Sequence, residues 1–221
     1  MNNSSNTLTI FDVDRTLFDG QTQRLFLKLM RHYDMVSHKD YSWILEWFSA
    51  YNMGLVKDTE QVRAQAYKLL KDVCVEKIGQ IIDQNFTLFT DKFYNDALEQ
   101  VKMHMHKGDK LILLSGSISL IIERIAKFLN IDDVIATELD TDNGLFTGKI
   151  RGKAAYGHGK LEKLLVFIAT KFPTVEKTYF YTDNFSDLPV LEYVTHPVCV
   201  NPDKSLSSFA LERSWAIENW R

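Results

Sequence analysis

Two aspartates one residue apart, Asp12 and Asp14, close an apolar run over residues 7–13, and Thr16 and an Asp19-Gly20 turn follow. Side chains on a strand alternate between faces, so both carboxylates point the same way for as long as the strand persists. Side by side they repel, and burial of such a pair raises the proton affinity of at least one member. The arrangement is unfavourable for stability alone and suits a bound cation or a proton-handling pair. The alternative is a solvated strand end running into an Asp-Gly turn. Two more polar groups stand in the same relation to apolar runs: Ser115 after Lys110–Leu114, and Asp183 after Thr178–Thr182. Taken singly, Ser115-Gly116-Ser117 reads as a turn, Asp183 as a helix cap and Lys160 as a surface lysine.

The elements that must position these groups follow from periodicity. Residues 1–6 read as a disordered lead-in and 7–13 as a buried strand. The next seventy or so residues carry little strand signal. Helical spacing marks 21–33, 41–53, 59–71 (with Thr59 as a capping residue) and 75–89, together an all-helical insertion after the first strand. The aromatic run Tyr41, Trp43, Trp47, Phe48, Tyr51 reads as its core, with one or two rings free to close on a crevice. A helix over 91–107 ends at Gly108. Strands are expected at 110–114, 133–139, 178–182 and 197–200, a hairpin within 134–150, and helices at 120–129, 160–172, 188–194 and 205–213. His104 and His106 read as solvated, and Trp215 and Trp220 as packed on the core. Strands alternating with helices predict an α/β fold: a Rossmann-like, mainly parallel sheet with helices on both faces. In such sheets ligands bind beyond the carboxyl ends of strands, where Asp12, Asp14, Ser115 and Asp183 would converge.

The chain has 221 residues, 45% of them hydrophobic, and a net charge of -3 with no basic block. Bulk-charge binding of nucleic acid is not expected. No apolar run approaches a membrane span. The opening Met1–Thr7 lacks the basic and apolar regions of a signal peptide, and only Cys74 and Cys199 are present, so a reduced, cytoplasmic protein is expected.

Four segments in order resemble the motifs of the haloacid dehalogenase superfamily: Asp12-Val13-Asp14-Arg15-Thr16 the first, Ser115 the second, Lys160 within Gly157-His158-Gly159-Lys160 the third, and Tyr181–Asp187 the fourth, acidic one. The helical segment between the first two resembles the cap of the phosphoserine-phosphatase-like branch. The implied domains are a catalytic core, 1–18 and 90–221, and a helical cap, 19–89. The resemblance implies a magnesium-dependent phosphatase acting on a small-molecule phosphate ester. Asp12 would be the nucleophile, Asp14 the general acid and base, and Lys160 the countercharge. Ser115, Gly116, Thr16 and Lys160 would bind phosphate. Asp12, the backbone carbonyl of Asp14, Asp183 and Asp187 would hold magnesium, Asp187 through water or by bracing Lys160.

Departures from that branch fall at substrate-reading positions. Gln21 stands where the branch has an acidic residue, Ser117 where it has glycine, and Arg15 where small residues are common. With Ser186, Gln21 and Ser117 form the specificity set, and a substrate other than phosphoserine is expected. The alternatives are a phosphotransferase to an alcohol acceptor and, in a different class, a catalytically silent binding or regulatory module on the same fold. The oligomeric state is open.

Overall fold

The structure is a computed structural model that describes residues 6–53, 55 and 59–221. The expectations for residues 1–5, and for the side chains of Tyr51, Thr59 and Val62, lie outside the described residues. Strand β1 (Thr7–Phe11) leads into helices α1 (Thr22–His32), α2 (His38–Asn52), α3 (Thr59–Lys68), α4 (Val75–Gln84) and α5 (Thr87–Thr90). Then come α6 (Asn95–His106), β2 (Lys110–Ile118), α7 (Ser119–Leu129), β3 (Asp133–Thr137), β4 (Leu139–Asp142) and β5 (Leu145–Ile150). The chain finishes with α8 (His158–Lys171), β6 (Lys177–Thr182), α9 (Leu188–Tyr193), β7 (His196–Val200), α10 (Lys204–Glu212) and β8 (Ala216–Glu218).

Six strands form one parallel sheet in the order β3-β2-β1-β6-β7-β8. The chain runs outward from β1 through β2 to β3, then returns to place β6 on the other side of β1. The strand order therefore reverses at β1, and a crevice opens beyond its carboxyl end. The pleat sorts the core into two layers. Leu8 and Ile10 of β1, Ile112 and Leu114 of β2 and Phe180 of β6 face α8, α9 and α10. Phe11, Leu113 and Tyr181 face α6, α7 and the helical insertion. One continuous apolar cluster includes Phe26, Ile44 and Ile78 of the insertion and Ile122 and Ile125 of α7, so the insertion is packed onto the sheet layer.

The insertion is joined by backbone pairing at two places. Its entry and exit lie side by side: Asp19 N–H donates to Lys92 C=O at 2.7 Å, and Tyr94 N–H to Leu17 C=O at 3.0 Å. The hairpin β4–β5 also bonds to the segment before α4, with Asp72 N–H to Phe146 C=O at 2.8 Å and Phe146 N–H to Val73 C=O at 2.9 Å.

Several expectations need correction. β2 does not stop at Leu114 but runs through Ser115 to Ile118, with irregular register against β3. Ser and Gly look like a turn locally, but the pairing of Ile118 with Thr137 and the Thr137 hydroxyl, which donates to Gly116 C=O at 3.0 Å, hold the stretch extended. The hairpin starts at Leu139, because 133–137 belongs to the main sheet. The helix expected over 75–89 is two, α4 and α5, and the one expected from Asp91 starts at Asn95. β8 has three residues, too few to show alternation, and exists by pairing with β7. His104 is not solvated: it takes the third place on the buried stripe Ala97, Val101, His104. Its Nδ1 lies 2.7 Å from Asp109 and its Nε2 2.9 Å from the Tyr181 hydroxyl, which accepts from Gln100. Nδ1–H donating to Asp109 leaves Nε2 to accept from Tyr181, which fits a neutral ring. Trp220 is buried as expected, 5.5 Å from the Tyr181 ring.

Candidate active site

Asp12 stands one residue past β1 and still belongs to the sheet, since its N–H donates to Tyr181 C=O at 2.9 Å. Leu8, Ile10 and Asp12 share a parity, so the Asp12 carboxylate projects to the α8 side of the sheet. The chain then turns sharply. Thr16, Leu17 and Phe18 all donate N–H to Val13 C=O, and Arg15 adopts a left-handed backbone with φ 60. That conformation is strained for a residue with a side chain and is found where the surroundings over-determine it. The turn brings Asp14 beneath the insertion, where its Oδ1 accepts the N–H of Thr22 at 2.6 Å. The same carboxylate that faces the crevice thus binds the first amide of α1, a favourable place for an anion.

Lys160 sits in the first turn of α8. A Cβ on the preceding Gly159 would stand 2.3 Å from the Ala154 carbonyl oxygen, so only glycine lets α8 start this close to the incoming chain. Lys160 is 3% exposed. Its Nζ lies 3.0 Å from Asp12 Oδ1 and 2.6 Å from Asp187 Oδ2, bridging two buried carboxylates. Beyond β6, the Asn184 side chain accepts the Ser186 N–H at 2.8 Å and starts a single 3₁₀ turn, Phe185–Asp187. That turn swings Asp187 back under Lys160. Asp187 Oδ2 also accepts from the Thr182 hydroxyl at 2.7 Å, while its Oδ1 is buried with no hydrogen-bond partner in the protein.

One cavity gathers these groups. Asp12, Asp14, Lys160, Asp183, Asp187 and Gly116 line its base. Gln21, Gln23, Trp47, Phe48 and Arg63 of the insertion form the facing wall. Tyr156, Asn184, Arg15 and Ser186 complete the lining of this cavity of about 70 Å³. The Arg63 guanidinium lies 3.8 Å over the Tyr156 ring, a cation–π contact across the crevice. Of the residues singled out by sequence, Ser115, Thr16 and Ser117 are not on this wall. All three are fully buried beside it. Ser115 Oγ accepts the Ser117 N–H at 3.1 Å, and Ser117 Oγ accepts from the Thr22 hydroxyl at 2.9 Å. Trp47 and Phe48 come from the aromatic run that was expected to offer a ring or two. Gln23, Arg63 and Tyr156 carried no signal of spacing or type, and Asn184 lay unmarked inside the acidic segment.

The electrostatics are those of an excess of buried carboxylates. Burial pushes Asp12 up, Lys160 pulls it back, and Asp187 and Asp14 add repulsion, leaving it at about 7 against an ordinary 3.8. Asp183 is raised well above 3.8 by burial and then by Asp12 and Asp187. Asp14 is raised by burial, against the opposing Thr22 hydrogen bonds and the Lys160 and Arg15 charges. Lys160 would be lowered by burial, but Asp12 and Asp187 outweigh it and its pKa is raised. Lys160 and Arg15 leave Asp12, Asp14 and Asp183 raised, and a further cation would lower all three. Among the described residues no three or more His, Cys, Asp or Glu side chains form a ready-made metal cage. Magnesium needs none: it takes oxygen donors, keeps several waters and accepts backbone carbonyls. The oxygen-only donor set and the orphaned Asp187 Oδ1 fit that ion.

Residues 9–192 match the haloacid dehalogenase-like hydrolase family, and the chain belongs to it. A histidinol-phosphatase of Neisseria meningitidis serogroup C is 34% identical over 125 residues, 55% of this chain and 56% of that enzyme, so the likeness spans little more than half of that relative. Phosphoserine phosphatase SerB1 of Mycobacterium tuberculosis is 25% identical over 96% of this chain and 70% of its own. A crystal structure of a Bordetella pertussis Tohama I protein with unknown function shares the fold, with a TM-score of 0.88 at 23% identity over 97% of this chain and 98% of that one. The family and these phosphatase relatives support the class of phosphoric monoester hydrolases. No helix among the described residues is long and apolar enough to cross a membrane.

Proposed function

We propose that this chain is a magnesium-dependent, cytoplasmic phosphatase that hydrolyses a small-molecule phosphomonoester through an aspartyl-phosphate. The observation that carries the reading is Lys160, buried and bridging Asp12 and Asp187 in one cavity with Asp14 and Asp183. Asp12 attacks phosphorus as the ester oxygen departs, and Asp14, held by the Thr22 amide and lining the same cavity, gives a proton to the leaving alcohol. Asp14 then takes a proton from the water that attacks the acyl phosphate, which returns Asp12 as a carboxylate. Lys160 offsets charge on Asp12 and on the phosphoryl oxygens. The Gly116 backbone, on the cavity wall, supplies a phosphate contact. Thr16 and Ser115, buried behind that wall, act by shaping the loops that present Asp12 and Gly116. Magnesium would be held by Asp12, Asp183 and the Asp14 carbonyl, with Asp187 toward a bound water, and when bound it neutralises phosphoryl charge. In this reading residues 1–18 and 90–221 are the catalytic core and 19–89 the cap.

Gln21 lines the cavity, and the insertion contributes no carboxylate to it among the described residues. A substrate ammonium would find no counterion on that wall, which favours a substrate other than phosphoserine. Ser186, also in the lining, is a second contact for the leaving group, whereas Ser117, tied to Thr22, acts only through the backbone it braces. A phosphate-ester panel assayed with magnesium, with chelator, and with Asp12→Asn tests the reading. Turnover that needs magnesium and disappears in Asp12→Asn is the expected result, and turnover surviving that substitution would overturn the mechanism.

A further inference from the structure

A second space lies behind the cavity's inner wall, among α1, α2 and α3. Phe26, Met30, Val36, Ile44 and Leu70 make it apolar, and Gln23 and Tyr67 bring polar side chains to its edge. Gln23 and Phe48 line both spaces. Gln23 forms the partition: its Nε2 donates at 3.2 Å to Gly116 C=O, on the phosphate side, and at 3.2 Å to the Tyr67 hydroxyl, on the chamber side. The chamber is therefore one side chain away from the place proposed for the phosphoryl group.

Protein interiors are packed with few voids larger than a water molecule, and an unfilled apolar void lowers stability. An apolar recess with little polar lining holds water poorly and accepts an apolar guest. An apolar recess that shares Gln23 and Phe48 with the cavity of the reacting centre has a natural guest in the alcohol half of the ester. Its volume is about 60 Å³. That is well below the ~150 Å³ known to hold benzene, so the guest is smaller than a ring.

Resting on the phosphatase reading, we propose that the chamber is a substrate subsite that seats a short aliphatic chain on the ester's alcohol, with Gln23 as its gate. The substrate class is then a phosphomonoester of an alcohol that carries a few apolar carbons and no ammonium beside them.

A series of straight-chain alkyl phosphates tests this, with kcat/KM measured from methyl upward in magnesium. Burying each further methylene should raise kcat/KM about threefold to fourfold until the chamber is full, after which the values level. Ala66 and Leu70 also line the chamber. Ala66→Leu, which fills it, should move the levelling point to a shorter chain, and Leu70→Ala, which enlarges it, should move it to a longer one. Hydrolysis that does not vary with chain length in the wild-type protein overturns the subsite and leaves the phosphatase reading standing. A chain-length preference that neither variant moves, with both folded by circular dichroism, also overturns it. Alkyl phosphates left intact while another ester of the panel turns over overturn the subsite alone, and no turnover on any ester overturns both readings. The wild-type series decides the matter even if a variant does not fold.

Discussion

Replacing Lys160 with methionine keeps most of the stem and removes the charge that bridges Asp12 and Asp187. At 3.0 and 2.6 Å, an effective dielectric near 20 gives gross attractions of about 6 kcal/mol each. Desolvation of the three groups offsets much of this. The net effect of removing one partner from a buried pair is a loss of about 3–5 kcal/mol, because the remaining charge is left without compensation. For a chain of this size that corresponds to a fall in Tm of about 6–20 °C. The loss must depend on pH. Asp12 already sits at about 7 in the folded protein against 3.8 ordinarily, and Lys160 is the largest influence holding it down. Without the lysine its folded pKa rises further. A group whose folded pKa exceeds its unfolded value contributes stability at low pH, and that contribution is lost as pH rises through the folded value. Lys160→Met should therefore be far less stable than wild type near about pH 8.5 and closer to it near about pH 5, where the buried carboxylates take up protons. Urea unfolding in EDTA at the two pH values measures this. A destabilisation that is equal at both, or larger at the acid one, would refute the account of Lys160 as countercharge.

Gly159→Ala should destabilise by about 1–3 kcal/mol and reduce activity, because the new Cβ meets the Ala154 carbonyl oxygen at 2.3 Å and Lys160 must shift. Wild-type stability and turnover in that variant would show that α8 tolerates the approach. Burial holds the His104 pKa below its ordinary 6.5, against the pull of Asp109. The unfolded chain then binds a proton that the folded protein refuses. Stability should be fully present above about pH 6.5 and decline as pH falls below it, a decline that His104→Gln lessens in urea unfolding across that range.

The strand-end placement of Asp12, Asp14 and Asp183 was legible because both signals are local: an apolar run of strand length, then a carboxylate. Lys160 was marked by its motif, yet nothing local made it a buried lysine and not a surface one. Its ion pairs with Asp12 and Asp187, both distant in sequence, decided that, with Gly159 and the 3₁₀ turn setting the approach. The extension of β2 through Ser115 and the pairing of β8 likewise depend on partner strands that a linear reading does not contain. His104 reads as solvated because it and His106, two apart, lie on different sides of a helix; the Thr9 hydroxyl, 3.1 Å from its Nδ1, Asp109 and Tyr181 surround it only in the fold. The sequence alone determined the α/β alternation, the helical insertion and the carboxylates of the base, since periodicity and residue type are properties of neighbours along the chain. Only the tertiary structure decided which side chains of the insertion face them. Gln23, Arg63, Trp47 and Phe48 reach the cavity through the packing of three helices, and the apolar chamber behind them belongs to no single helix.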